Sequence, residues 1–181
     1  MNILNDQNFK EFISQAKKPV LVDFWASWCV PCQALGPIIE RMEADFGEEI
    51  LFAKVNVDEA PAIAQEFSVD RIPMVVLFRK EKPASGFLGI RPEEEIKEWL
   101  LGQTYEDYAV NSGFKVNPDK ETVSKLIKGL LNNESKHGAR YCPCRRVTGN
   151  KEEDKDKICP CKWHKEEIEK QGHCLCGLFI K

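Results

Sequence analysis

The sequence predicts two domains: an α/β domain with a mixed central sheet and helices on both faces, then a small, mainly α-helical domain stabilised by metal. In the first part of the chain, apolar strands alternate with segments of helical periodicity. Six of the eight cysteines form three Cys-x-Cys pairs within the last 40 residues. Few large apolar residues lie between Cys142 and Cys176, so this segment cannot fold on hydrophobic burial alone.

Composition limits the partners and the location. The net charge is −3, with 11 Lys and Arg against 17 Asp and Glu in residues 1–103, and 15 against 12 in residues 104–181. The second part is only weakly basic and lacks aromatic residues spaced for base stacking, so no nucleic-acid partner is expected. No apolar run is long enough to span a bilayer and no secretory signal is visible, so we expect a cytoplasmic protein without a membrane partner. In the cytosol, closely spaced cysteines usually bind metal or carry out redox chemistry.

Four strands are predicted in the first part of the chain. Residues 20–26 form a near-continuous apolar run, as expected of a strand that is buried on both faces of a sheet. Residues 51–58 and 73–78 form the next two strands. A turn at residues 82–86 leads into a fourth, short strand around Phe87 and Leu88.

Helices separate these strands, because apolar residues recur there at helical spacing. Pro37 removes a backbone donor inside the second helix and is expected to bend it. The predicted helices are residues 9–16, capped by Asn5 or Asp6 and ended by Pro19; one that begins at the Cys29-Val30-Pro31-Cys32 motif; residues 60–67; and one from Pro92 to Leu100.

The Cys-x-x-Cys motif combines a nucleophile with a resolving thiol. Cys29 lies at a strand-to-helix junction, where unpaired N–H groups and the helix dipole favour a thiolate. Cys32, one turn into the helix, is placed to attack a mixed disulfide on Cys29. Asp23 lies among apolar strand residues, so desolvation is expected to raise its pKa into the range of proton transfer. Taken alone, the motif could also be half of a zinc site, and Asp23 could be merely structural.

These residues resemble a known family over about 100 residues. The segment from Val22 to Cys32 closely resembles the active-site strand and motif of thioredoxins, and residues 54–58 and 72–74 fit at the expected separations. The resemblance implies the thioredoxin fold. Val30 is a departure, because thioredoxins usually have glycine there; a stiffer motif could shift the redox potential or the choice of partner.

The resemblance also implies roles for particular residues. Cys29 becomes the nucleophile and Cys32 the resolving thiol. Asp23 becomes the buried proton-transfer acid, with Lys54 nearby, and Pro73 the cis-proline that faces the disulfide.

The second part of the chain predicts three helices and an exposed loop. An apolar stripe from Val123 to Leu131 marks the longest helix. The charged run at residues 151–157 is expected to be a solvent-exposed loop. The predicted helices are residues 105–112, ended by Gly113; one from Asn117 as cap and Pro118 as first residue to a stop at Gly138; and residues 162–171, ended by Gly172.

Six thiolates in the three pairs are two more than a zinc site or one cubane cluster requires. Four ligands and one redox pair would account for all six. Zinc sites favour cysteines separated by two to four residues, and Cys-x-Cys is tighter. The spacing therefore favours iron–sulfur, while zinc and plain disulfides remain open.

The pairs Cys142-Pro143-Cys144, Cys159-Pro160-Cys161 and Cys174-Leu175-Cys176, with the stretch from Tyr108 into Cys142, resemble the catalytic subunit of ferredoxin:thioredoxin reductase over about 75 residues. The resemblance implies a [4Fe-4S] cluster beside an active-site disulfide. Cys144 would be the exposed thiol that attacks the thioredoxin disulfide, and Cys176 its partner, which interacts with the cluster. The implied cluster and metal ligands are Cys142, Cys159, Cys161 and Cys174.

One position departs from this family. The reductases usually have histidine between the last two cysteines, where this chain has Leu175. His is well suited to proton transfer near neutral pH, so His173 or His164 is a candidate substitute. Either could equally be a surface histidine.

The sequence therefore predicts a fused disulfide reductase, with a thioredoxin domain at residues 1–103 and a reductase domain at 104–181. Ferredoxin or a similar one-electron carrier would feed the cluster, and the Cys29–Cys32 pair would reduce disulfides of client proteins. The reduction of Cys29–Cys32 could be intramolecular or served by a neighbouring molecule. The alternative is a thioredoxin with a zinc-stapled adaptor that binds clients.

Overall fold

The computed structural model describes residues 1–181. The chain forms two compact units, Met1–Glu95 and Ile96–Lys181. The predicted domain boundary between residues 103 and 104 stays a prediction. No helix combines the length and the apolar character needed to cross a membrane.

A five-stranded mixed sheet forms the centre of the first unit, as predicted. The strand order is β1-β3-β2-β4-β5. β2 pairs in parallel with β3 and antiparallel with β4, and β1 and β5 extend the two edges. β1 was absent from the prediction. The strands are β1 Asn2–Leu4, β2 Val20–Trp25, β3 Leu51–Asn56, β4 Met74–Arg79 and β5 Lys82–Leu88.

The helices of this unit are α1 Phe9–Gln15, α2 Val30–Phe46 and α3 Pro61–Glu66, and α4 begins at Glu93. Pro37 lies inside α2 without ending it. The core packs strand residues such as Val22 and Phe24 against Phe9 and Ile63 from α1 and α3. This packing buries β2 almost completely, which holds the strand that leads into Cys29 in a fixed position.

The predicted cap of α1 is confirmed in part. Asn8 occupies the cap position without a side-chain cap bond, but Asn5 Oδ1 accepts the N–H groups of Gln7 at 2.9 Å and Asn8 at 3.2 Å in the turn before the helix. The Asp6 carboxylate instead accepts the N–H groups of Ala62 at 3.2 Å and Ile63 at 2.9 Å. Asp6 therefore caps α3, more than fifty residues away, which a local sequence pattern cannot show.

In the second unit, α4 is a single helix, Glu93–Asn111, and the predicted break before Tyr105 is wrong. Leu101, Gln103 and Tyr105 are all buried, so tertiary packing carries the helix through this segment. Gly102 permits close packing, because a Cβ there would lie 3.4 Å from Ile127 Cδ1. The other elements are β6 Lys115–Val116, α5 Lys120–His137, α6 Lys151–Asp154, a 3₁₀ turn Lys155–Lys157, α7 His164–Gln171 and β7 Phe179–Ile180.

The ends of α5 and α7 are partly as predicted. Gly138 and Gly172 adopt the left-handed conformation that ends the two helices, with φ of 78° and 85°. The predicted cap of α5 is wrong, because Asp119 rather than Asn117 accepts the N–H of Glu121. Asn117 instead donates from Nδ2 to the Gly177 carbonyl at 2.8 Å, beside the third cysteine pair.

The charged run at residues 151–157 was predicted to be an exposed loop. Four of its seven residues are exposed, but the run forms α6 and the 3₁₀ turn rather than a loop. Its Asp154 is buried, and the carboxylate accepts hydrogen bonds from the N–H groups of Thr148 and Gly149 and from Lys157 Nζ. These bonds lower the pKa of Asp154 to about 2. A buried carboxylate is tolerated here because its partners are fully supplied.

Candidate functional site

Cys29 and Cys32 form a disulfide at the junction of β2 and α2. Cys29 is the N-cap of α2, and its Sγ accepts the Cys32 N–H at 3.2 Å. The cap position directs backbone N–H groups at this sulfur, which stabilises a thiolate there after reduction. The arrangement can perform thiol–disulfide exchange.

Exposed apolar side chains flank this disulfide. Trp28 is 66% exposed and Val30 is 71% exposed. The Trp28 indole donates to Asp58 Oδ2 at 2.8 Å, which fixes its orientation. The Ile72–Pro73 peptide bond is cis. Because Val30 projects into solvent, its difference from glycine bears on partner contacts rather than on core packing.

Asp23 lies in the middle of β2, paired with Lys54 on β3 and Val75 on β4. Its carboxyl group is buried, and Oδ1 has no hydrogen-bond partner. Burial raises the pKa of Asp23 to about 7, and the charge of Lys54 lowers it in part. The group can therefore bind or release a proton near neutral pH.

The structure brings the three Cys-x-Cys pairs together in the second unit. The Cys142 sulfur contacts the thiols of Cys161 and Cys176, and the Sγ atoms of Cys174 and Cys176 are 3.6 Å apart. Cys142, Cys161 and Cys174 are buried, Cys159 and Cys176 are half-buried, and Cys144 is exposed. All six are free thiols. The disulfide between Cys144 and Cys176 thus stays a prediction.

Two of these six sulfurs accept an N–H hydrogen bond, and two more face a donor. The Cys174 sulfur accepts the Phe179 N–H at 3.3 Å, and the Cys161 sulfur accepts Arg145 Nε–H at 3.4 Å. The Cys144 N–H faces the Cys142 sulfur. The Tyr105 hydroxyl faces the Cys159 sulfur. The Cys176 sulfur contacts the thiols of Cys142 and Cys174, and Cys144 is exposed.

Shared protons shift the pKa values of the buried thiols in opposite directions. Hydrogen bonds from Cys161 and Cys176 lower the pKa of Cys142 to about 3. A hydrogen bond from Cys176 lowers the pKa of Cys174 to about 6. The pKa values of Cys161 and Cys176 rise, because these thiols donate their protons to Cys142. The network thus holds thiolates beside thiols, as expected where sulfur ligands converge.

Two observations bear on whether these residues fit an iron–sulfur cluster. No group of three or more His, Cys, Asp or Glu side chains is arranged to hold a single metal ion. The Tyr105 hydroxyl is buried, has no hydrogen-bond partner of normal geometry and faces Cys159. A thiolate at Cys159 would accept a hydrogen bond from that hydroxyl. Converging thiols, four of which face an N–H or O–H group, fit the Cys₄ ligand set of a cubane cluster.

The two candidate histidines lie in different settings. His164 is buried, not on the surface; its Nδ1 lies 2.5 Å from the Cys161 carbonyl oxygen and its Nε2 lies 2.6 Å from the Tyr108 hydroxyl. His173 is half-buried, with Nδ1 2.9 Å from the Cys174 carbonyl oxygen. Both rings contact the backbone of predicted cluster ligands, and Leu175 itself is 49% exposed.

The sequence reasoning missed two polar residues at this site, Tyr105 and Glu167. Tyr105 was placed at the start of a separate helix, and only the continuous α4 places its hydroxyl beside Cys159. Glu167 is one of several acidic residues in α7. No local signal in the sequence distinguishes it from its neighbours.

Two protein-family models match this chain. Residues 1–102 match the thioredoxin family model, and residues 93–181 match the model described as ferredoxin thioredoxin reductase catalytic beta chain. The thioredoxin of Alicyclobacillus acidocaldarius subsp. acidocaldarius is 39% identical over 97 residues, which are 54% of this chain and 91% of the relative. The thioredoxin of Chlorobaculum thiosulfatiphilum is 42% identical over 91 residues, 50% and 84% respectively. The chloroplastic M-type thioredoxin of Spinacia oleracea is 35% identical over 95 residues, 52% of each chain.

The fold, the Cys29–Cys32 disulfide and these matches define a disulfide oxidoreductase. The chain belongs to the thioredoxin family. Its thioredoxin domain is fused to a domain like the catalytic subunit of ferredoxin:thioredoxin reductase.

Proposed function

We propose that this protein is a disulfide reductase in which the C-terminal unit binds a [4Fe-4S] cluster and passes electrons from ferredoxin, or a similar one-electron carrier, to Cys29–Cys32. The proposed cluster ligands are Cys142, Cys159, Cys161 and Cys174. The observation that carries the proposal is that the three pairs converge, with the Cys161 and Cys174 sulfurs accepting N–H groups at 3.4 Å and 3.3 Å. The Cys142 and Cys159 sulfurs face the Cys144 N–H and the Tyr105 hydroxyl. Such donors stabilise thiolate ligands.

Cys144 and Cys176 form the proposed redox pair. Cys144 is exposed and so accessible to a disulfide, whereas Cys176 is half-buried against Cys174. The thiolate of Cys144 attacks Cys29 Sγ, which breaks the Cys29–Cys32 bond and releases the Cys32 thiolate. Cys176 then attacks Cys144 Sγ, which releases the Cys29 thiolate and forms the Cys144–Cys176 disulfide. Two electrons pass to the Cys29/Cys32 dithiol.

The remaining residues support these exchanges. Asp23, with a pKa of about 7, exchanges protons with the Cys29/Cys32 pair, whose dithiol then reduces disulfides of client proteins. A bound cluster would supply the electrons that reopen Cys144–Cys176 one at a time. The division of the chain at residue 103 and a cytoplasmic location are part of the same proposal.

Metal analysis tests the cluster. We expect about four irons and four acid-labile sulfides per chain in protein purified without oxygen. A matched variant, Cys161→Ser, is expected to lose most of the iron. One zinc per chain without sulfide would contradict the proposal and support the adaptor alternative.

A trapping experiment tests the electron path. In a Cys32→Ser/Cys176→Ser variant, the aromatic disulfide dithiobis(nitrobenzoate) forms a mixed disulfide with Cys29 or Cys144. The other thiolate then attacks that cysteine and displaces thionitrobenzoate. The expected product is a stable Cys29–Cys144 disulfide, identified by peptide mass spectrometry. The size of the intact cross-linked protein, monomer or dimer, distinguishes a link within one chain from a link between two chains. The control adds Cys144→Ser and should give no link; failure of the first variant to form one would exclude this path.

A further inference from the structure

Arg145 directly follows Cys144, and its side chain contacts the segment around the second cysteine pair. Its Nε–H donates to Cys161 Sγ at 3.4 Å, and its guanidinium lies 4.2 Å from the centroid of the Trp163 ring. The guanidinium also forms an ion pair with Glu167 on α7. The Arg145 side chain is only 18% exposed. The first cysteine pair is thus fixed to the segment that follows the second pair.

Glu167 extends this connection to the third pair. While Oε1 contacts Arg145, Oε2 accepts the backbone N–H of Leu175 at 2.8 Å. Leu175 lies between Cys174 and Cys176. The carboxylate therefore pairs with Arg145, the residue after Cys144, and accepts a hydrogen bond from Leu175, the residue before Cys176. Its side chain is 20% exposed, which limits competition from water.

At Leu175 the contact with Glu167 is made by the backbone rather than by the side chain. Leu175 has an apolar side chain that is half exposed and offers no polar group. Its backbone N–H provides the link from the third pair toward the first, because Glu167 Oε2 accepts it.

We infer that Glu167 is a positioning residue, which holds the backbone on either side of Cys144 and Cys176 so that their disulfide can form and reopen. This inference rests on the proposed pairing of these two cysteines. Formation of the disulfide removes two electrons and two protons from the thiols, and oxidised dithiothreitol can accept them. Its own S–S bond is broken as the Cys144–Cys176 bond forms.

The test measures this equilibrium in the full chain. Anaerobically purified protein is equilibrated with mixtures of reduced and oxidised dithiothreitol, the free thiols are trapped, and the Cys144–Cys176 disulfide is quantified by peptide mass spectrometry. Glu167→Ala is expected to lower the equilibrium constant for disulfide formation by roughly tenfold, the size of one hydrogen bond to a charged group. Glu167→Gln, whose amide oxygen can still accept the Leu175 N–H, is expected to lose less.

Glu166→Ala is the matched control, because Glu166 is on the same helix and is also ion-paired, with the exposed Lys170. It is expected to change the constant by less than about twofold. An equal effect of Glu167→Ala and Glu166→Ala would overturn the inference. Iron content is measured on every variant. If Glu167→Ala loses iron, Glu167→Gln with normal iron decides: loss of the ion pair with Arg145 should lower its constant by about threefold. A constant equal to that of Glu166→Ala would then overturn the inference.

Failure of the proposed function has a different result. If the parent chain forms no Cys144–Cys176 disulfide at any ratio of the two dithiothreitol forms, the pairing itself is wrong. If the parent chain forms the disulfide normally and substitution of Glu167 does not change the equilibrium constant, only the positioning role is overturned.

Discussion

The two cysteine sites of this protein differ in how much of the chain builds each of them. The Cys29–Cys32 disulfide lies within one helical turn, at the junction of one strand and one helix. The three Cys-x-Cys pairs depend on side chains and backbone groups from Tyr105 to Phe179. A dithiol that works alone needs only a local cap, whereas a set of metal ligands needs an organised surrounding shell.

The two sites should therefore respond differently to loss of the proposed cluster, which is the largest effect we expect. Hydrogen exchange is measured before and after anaerobic oxidation with ferricyanide and chelator. The amides of Cys142 and Cys159, which donate to the carbonyls of Lys157 and Arg140, should lose several orders of magnitude of protection.

The strands of the first unit provide the internal control in that experiment, and their amides should change little. Retained protection at Cys142 and Cys159 after complete removal of iron would mean that packing alone holds the pairs. The contrast between the two sites would then be wrong.

The second prediction concerns Asp23, the buried carboxyl group in the unit that holds the Cys29–Cys32 disulfide. The folded carboxyl of Asp23 keeps its proton up to about pH 7, whereas its ordinary pKa is 3.8. Folding therefore takes up a proton between these pH values, and stability falls as the pH rises through this window. Asp23→Asn should stabilise the first unit by about 4 kcal/mol above pH 7, and by nothing below pH 3.8.

Hydrogen exchange of β2 amides between pH 5 and 8, corrected for intrinsic rates, measures this gain. Asp70→Asn is a suitable control, because Asp70 is exposed and its change should be within about 0.5 kcal/mol at every pH. A gain from Asp23→Asn that does not vary with pH would show that the carboxyl is not protonated in the folded state.

The smallest effect contrasts two helical glycines, one in each unit. A Cβ at Gly129 in α5 would lie 2.9 Å from Pro143 Cγ, within the first cysteine pair, whereas a Cβ at Gly36 in α2 would have no neighbour within 4 Å. Gly129→Ala should cost about 1 kcal/mol, because crowding outweighs the gain in helix propensity. Gly36→Ala should gain about 0.5–1 kcal/mol.

Urea unfolding, monitored by hydrogen exchange in each unit, measures the free energy of unfolding of both glycine variants. Iron content of Gly129→Ala provides a second readout, because a displaced Pro143 would move Cys142 and Cys144. Equal stabilisation by the two substitutions would show that the first pair is not held tightly against α5.

Sequence patterns were sufficient to predict the elements whose cause is local. Apolar runs marked the central strands, the Cys-x-x-Cys motif marked a helix start, and Gly138 and Gly172 marked helix ends. Each of these depends on backbone conformation or hydrogen bonds within one or two turns. The three Cys-x-Cys pairs were equally visible, because their spacing requires no knowledge of the fold.

Which distant polar groups meet depends on how the whole chain packs. Asp6 caps α3 instead of α1, Asp154 is buried by partners on both sides of α6, and Glu167 joins two cysteine pairs. These side chains look like ordinary surface charges in the sequence, since an acidic residue gives no local signal of its partner. Their positions follow from packing, because burial fixes a charge only where donors from other segments satisfy it.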